Sequence, residues 1–193
     1  NIMIKILSES LFNGNFDTSI ILTRNKNANI KIISKNIDIE EINSLKGYNY
    51  FSGFLNTDIS FSSNIKNKDF FLKNLTGNGN LYLKKFIVRN LNLNDFKANI
   101  QSVKNINDLT KLSKKTFNGD TKINEQKLNI QIDKGNLKIP NTKVKIDNEN
   151  LLVKGFYNFY KENLDFDINY DDNKLLSLFT INVYGNFKKV NTK

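Results

Sequence analysis

The residues best placed to do chemistry in this chain are two aspartates, Asp165 and Asp167. Two apart on a strand, they fall on one face, where paired carboxylates could hold a hard cation. A solvated strand edge is the better account of them. Glu40-Glu41 reads as acids in a first helical turn, favoured there by the helix dipole, and Asp171-Asp172 reads as a turn. The chain has no Cys and no His, which removes thiolates, disulfides and the usual proton shuttle. Ser-Lys or Thr-Lys arrangements remain, and none sits in a nucleophile elbow. Gly77-Asn78-Gly79 lacks the third glycine and the following helix of a dinucleotide site. Asn74-Leu75-Thr76 matches a glycosylation sequon, a pattern that 35 asparagines in 193 residues make by chance. The expectation is a protein that is not an enzyme, with no catalytic residue, no cofactor and no metal.

With no constellation to hold in place, the elements themselves carry the question. Only 39% of the residues are apolar, so a fold must concentrate them. They alternate with polar residues along short segments. Leu128, Ile130 and Ile132 interleave with Asn129, Gln131 and Asp133; Val144 and Ile146 with Lys143, Lys145 and Asp147; Leu164, Phe166 and Ile168 with Asp165, Asp167 and Asn169. Period two gives each strand one apolar and one wet face. Strands are expected at 15–23, 28–34, 51–62, 79–89, 117–125, 127–133, 136–139, 142–147, 151–158, 163–170 and 178–187, and the run Ile2, Ile4, Ile6 is also strand-like. Asn-Gly at 13–14, 78–79 and 118–119 signals hairpins, and the lone proline, Pro140, fits a turn or edge between strands. Turns every eight to twelve residues indicate an antiparallel meander.

Helices interrupt it. Residues 38–47 begin with an Asp cap, carry acids early and end at glycine. Leu93, Phe96, Ile100, Val103, Leu109 and Leu112 recur at three-to-four spacing, as one longer amphipathic helix or two. A weaker helix spans 67–74. The apolar stripes should lie on the sheet's apolar face or plug its end.

A chain of 193 residues suits one domain, 1–193. Beginning at Asn1 inside a strand-like run, it is expected to be a piece of a longer protein; no signal peptide and no run of 18 apolar residues occurs. The net charge of +10 comes from 27 lysines and only two arginines, Arg24 and Arg89. Scattered lysines with abundant Asn point to the codon bias of an AT-rich genome and a solubilising exterior. No paired-aromatic RNA signature or basic groove-binding helix is present, so nucleic acid is not an expected partner.

The order of motifs between residues 38 and 187 resembles the C-terminal region of the AsmA family of bacterial envelope proteins, of the AsmA/TamB type. The residues that carry the resemblance are Ser52-Gly53-Phe54-Leu55-Asn56-Thr57-Asp58-Ile59-Ser60, Leu75-Thr76-Gly77-Asn78-Gly79-Asn80-Leu81-Tyr82-Leu83, and Val88-Arg89-Asn90-Leu91-Asn92-Leu93. They continue as Asp133-Lys134-Gly135-Asn136-Leu137, Leu151-Leu152-Val153-Lys154-Gly155-Phe156-Tyr157 and Ile181-Asn182-Val183-Tyr184-Gly185-Asn186-Phe187. The resemblance implies a mainly β fold: an elongated, curved antiparallel sheet, an open groove or half-barrel, with two or three short helices covering or capping its apolar face. It also implies a non-enzymatic periplasmic domain, held at the inner membrane by an N-terminal anchor that this chain lacks. Such a domain contributes to phospholipid transport between membranes and to outer-membrane assembly.

On that reading the groove is lined by Leu55, Ile59, Phe61, Leu81, Leu83, Leu128, Ile130, Ile132, Val144, Ile146, Phe166, Ile168, Ile181 and Val183. Phe96, Ile100 and Val103 form a capping helix. Phospholipid acyl chains are the expected partner. The alternative is a structural cap, or an assembly module pairing its last strand, Phe179 to Phe187, with the sheet edge of another envelope protein and carrying no lipid.

Overall fold

A computed structural model describes residues 1–47, 49–100, 102–147, 149–171, 180–186 and 189–192. The chain is mainly β, and every strand pairing is antiparallel. The strands are β1 (Ile2–Leu11), β2 (Gly14–Leu22), β3 (Asn27–Asp38), β4 (Phe51–Asn64), β5 (Thr76–Val88), β6 (Thr121–Ile123), β7 (Gln126–Asp133), β8 (Asn136–Ile146), β9 (Glu149–Asn158), β10 (Asn163–Tyr170), β11 (Thr180–Asn186) and β12 (Lys189–Thr192). They form one sheet in chain order from β1 to β12, except that the short β6 pairs with β5 beside β7. β1 and β12 are its two edges, so the sheet is open. The helices are α1 (Ile39–Lys46), α2 (Lys68–Lys73), α3 (Leu93–Ile100) and α4 (Ile106–Thr116).

Local chemistry sets most boundaries. Asp38 caps α1, its carboxylate accepting from the Glu40 amide at 2.9 Å, and Gly47 closes the helix in the left-handed region at φ 69°. Asn67 caps α2 by accepting from the Phe70 amide at 2.8 Å. The β1–β2 turn has Phe12 and Asn13 at φ 51° and 59°, a primed turn matching the sheet twist.

Several expectations need correction. Neither Asn78-Gly79 nor Asn118-Gly119 makes a hairpin: the first lies inside β5 and the second joins α4 to β6. The expected strands 136–139 and 142–147 are one strand, β8, whose register shifts between Ile139 and Thr142 around Pro140. A bulge absorbs the missing proline donor without ending the strand. Of the expected strand 117–125 only β6 is extended. For the stretch from Leu93 to Thr116, where one helix or two is expected, the structure has two. The Asn105 side chain caps α4 by accepting from the Asp108 amide at 3.0 Å, while Asp108 accepts from the Lys104 amide at 3.1 Å. That reciprocal cap begins a new helix where the periodicity runs on. Nor is the expected last strand the edge: β11 is flanked by β10 and β12, so the C-terminal edge is β12. Phe179 and Phe187, its expected ends, and Asp172 lie outside the described residues.

The core is one cluster in which Leu91, Leu93, Ile100 and Leu112 from the α3–α4 region meet Leu83, Leu128, Val144, Ile146, Leu151, Tyr170 and Ile181 from the sheet. Two helices therefore cover the sheet. α2 buries no residue, and neither it nor α1 joins this cluster. The side chain of Leu109 lies outside the described ones.

Candidate functional site: a concave apolar face

Residues paired across antiparallel strands share a face, so the register can be walked across the sheet. Ile4 pairs with Ile20, Ile20 with Ile30, Ile30 with Phe61 and Phe61 with Gly77. Gly77 pairs with Ile132, Ile132 with Leu137, Leu137 with Tyr157, Tyr157 with Leu164 and Leu164 with Gly185. The same walk puts Leu55, Ile59, Phe61, Leu81, Leu83, Leu128, Ile130, Ile132, Val144, Ile146, Phe166, Ile168, Ile181 and Val183 on one surface, joined from β4 to β11. Sequence reasoning left Phe16, Ile20, Ile30 and Ile32 out of this lining. Ile30 and Ile32 alternate with Asn29 and Lys31, the signal that could have found them; the doublets Ile20-Ile21 and Ile32-Ile33 blur it.

The opposite face is mostly polar, carrying Asp58, Asn80, Asn129, Lys145 and Lys154, although β1–β3 also place Met3, Leu7, Ile21 and Ile33 on it. Asp165 and Asp167 stand there too. The Asn182 amide donates to both, at 2.8 and 3.0 Å, and Lys154 lies 3.5 Å from Asp167. They are surface carboxylates with local partners, and among the described residues no three His, Cys, Asp or Glu come together to hold a metal. Glu40 pairs with Arg89 at 2.6 Å, and Asp171 with Lys143 at 2.5 Å.

Glycines make the apolar face the concave one. A Cβ on Gly79 would stand 2.5 Å from the Asp58 carbonyl oxygen and 2.6 Å from the Ile59 Cα; on Gly155 it would stand 2.3 Å from the Asp165 carbonyl oxygen. Both positions point to the apolar side, so the neighbouring strands fold over that side further than any side chain there would permit. Ile130, opposite Gly79, is only 1% exposed although it lies outside the helix-covered cluster.

Among the described residues the face is sealed at one end only. Ile100 is buried in the core, with Phe96 and Val103 packed at its margin. Phe96 stacks on Tyr170, ring centres 6.1 Å apart. The Tyr170 hydroxyl donates to the Leu93 carbonyl, the Leu93 amide donates to the Thr121 hydroxyl at 3.0 Å, and Asn94 donates to Asp147 at 2.9 Å. Burial pushes the Tyr170 phenol well above its usual range. Below about pH 10, the ordinary tyrosine value, the phenol is neutral whether or not the chain is folded, and its contribution is intact. Above it the unfolded chain gains by ionising, and stability falls. Tyr170→Phe should cost about 0.5–1.5 kcal/mol near neutrality by removing one buried hydrogen bond, since the Leu93 carbonyl keeps its place in the helix. It should also flatten the alkaline loss of stability, as read by urea titrations between pH 8 and 11.

At the β1 side the face is open. Ile2, Ile4 and Ile6 are 64%, 42% and 47% exposed, and Phe16, Ile20, Leu22, Ile30, Ile32, Ile59 and Phe61 are half-buried. The seven residues from Phe16 to Leu22 span about 20 Å of strand. Ser34 and Thr57 hydrogen-bond each other at 2.8 Å, while the buried Thr18 hydroxyl has no partner among the described residues. No described helix is long and apolar enough to cross a membrane. The chain matches no family model, no curated protein and no solved structure.

Proposed function

We infer that this domain handles lipid without catalysis, sheltering phospholipid acyl chains on the open β1–β4 part of its concave face. The observation that carries the reading is the bias of the sheet: apolar side chains favour one face on strand after strand, past the point where the helices stop covering it. Exposing an acyl chain to water costs about 0.8 kcal/mol per methylene, so sixteen carbons would cost about 12 kcal/mol. A trough of Ile, Leu and Phe removes most of that and asks for no fixed polar contacts. The motif order between residues 38 and 187 supports the same reading through its resemblance to the AsmA family. It carries with it attachment to the inner membrane, a periplasmic location and a part in outer-membrane assembly.

A structural cap is the second reading, favoured by the α3–α4 seal over β5–β11. Under it the domain would close the end of a groove and carry nothing. Mass spectrometry of lipids extracted from the purified chain separates the two. Stoichiometric phospholipid, lost in Ile32→Asp, is the outcome expected; a lipid-free chain would leave the cap.

A further inference from the structure

The two rims of the sheet differ in charge. One rim holds the N-terminus of β1 and the connections β2–β3, β4–β5, β7–β8 and β9–β10, which the register places at the same strand ends. Among the described residues these connections carry Arg24 and Lys26, then Lys66, Lys68 and Lys73 around α2, then Lys134 and Lys161; only Asp69 and Glu162 oppose them. The opposite rim is nearly balanced. There Lys46, Arg89, Lys97, Lys104, Lys111, Lys114 and Lys115 stand against Glu40, Glu41, Asp95, Asp108, Asp120, Glu125, Asp147 and Asp171.

The basic rim is also one continuous platform with apolar side chains among its cations. The Ile65 amide donates to the Lys26 carbonyl at 2.6 Å, the Gly135 amide to the Leu75 carbonyl at 3.0 Å, and the Phe159 amide to the Gly135 carbonyl at 2.9 Å. Four connections are thereby tied side by side. Ile65 and Tyr160 are 40% and 39% exposed, and Phe70, Phe71 and Leu72 of α2 are half-buried, none buried. The Lys66 ammonium lies 4.7 Å from the Phe70 ring centre and the Lys73 ammonium 3.9 Å from that of Tyr160. Aromatic rings and lysines intermixed at one level are what a bilayer's headgroup region accepts: rings at the interface, long cations reaching to phosphates. A plain solubilising surface needs no exposed Ile and Tyr.

We propose that this rim is a docking surface for an anionic phospholipid bilayer, seating one set of strand ends, those of β1–β4 included, against the membrane. The proposal goes beyond acyl-chain binding and stands on separate residues. Each lysine held near an anionic surface adds about a factor of five to binding, so reversing two should abolish it.

The chain has no Trp, so a single tryptophan can report position. Phe70→Trp should shift its emission to the blue with phosphatidylglycerol-containing vesicles and not with pure phosphatidylcholine. Tyr82→Trp, on the polar face, should not shift with either. In sedimentation the wild type should follow the anionic vesicles at low salt, and Lys66→Glu/Lys73→Glu should lose binding more than tenfold. Equal binding to neutral vesicles, an unmoved Phe70→Trp, or a double reversal that affects RNA binding and not vesicle binding would overturn the proposal. Lipid extracted from the double variant is read separately. Loss of vesicle binding with bound lipid retained supports docking as distinct from the trough; vesicle binding by a chain that never carries lipid keeps docking and removes the trough.

Discussion

Ile130→Asp should leave the chain largely unfolded at 25 °C, whereas Asn129→Asp, one residue away, should change stability by less than about 0.5 kcal/mol. Ile130 is 1% exposed, and its neighbour across β5 is a glycine. Replacing it with a carboxylate removes a buried branched side chain and puts a charge where no cation can reach it. Such changes cost about 4–5 kcal/mol or more, close to the whole stability of many domains. Asn129 is exposed on the polar face, where a charge stays hydrated. Urea denaturation of the pair checks this. Ile168→Asp should be milder, because Ile168 is half-buried at the edge of the core. If Ile130→Asp were as stable as its parent, the face assignment would be wrong.

The second large effect is expected from a small change. Gly79→Val places a branched side chain on backbone that already approaches within 2.5 Å of where its Cβ would stand. Carbonyl oxygen and Cα atoms cannot swing aside as a side chain would, so β4 and β5 must separate or flatten. A cost of about 3 kcal/mol follows, or roughly 6–12 °C in Tm for a domain of this size. Asn78→Ala, exposed on the polar side of the same strand, should move Tm by no more than a degree or two. Calorimetry of both variants tests whether the crease is built into the sequence. A Gly79→Val chain that melts with the wild type would mean the sheet is flatter than described.

How far the fold could be read from the residues follows from what each signal encodes. Leu128, Ile130 and Ile132 alternate without interruption, so β7 and its inward face were plain. Asp38 and Gly47 mark α1 by the two groups that satisfy its ends. Asn78-Gly79 misled because a dipeptide specifies permitted torsions without saying whether they serve a turn or a close approach of strands. Pro140 reads as a boundary because its missing amide is local, whereas the bulge that tolerates it depends on β9. The break between α3 and α4 hides inside a periodicity that continues through it. The short edge strand β12 carries too few residues to alternate visibly, so the sequence presents β11 as the edge. For the candidate site, side-chain alternation disclosed which face is apolar. How much of it the helices cover is a property of packing across long sequence separations, and only the fold displays it.

The basic rim was illegible for the same reason. Its cations lie in connections spread from Arg24 to Lys161, and the +10 charge looks uniform until the register gathers them at one set of strand ends. Seven cations against two acids put about half of the net charge on that rim.

The central claim, that the concave face holds acyl chains, is tested most directly by a photoreactive residue placed in turn at Ile30, Lys31 and Ile32, irradiated in cells and analysed for covalent phospholipid. Adducts at positions 30 and 32 and none at 31 are predicted, the period-two signature of one face occupied by lipid. Adducts at none of the three, or at all three alike, would contradict it.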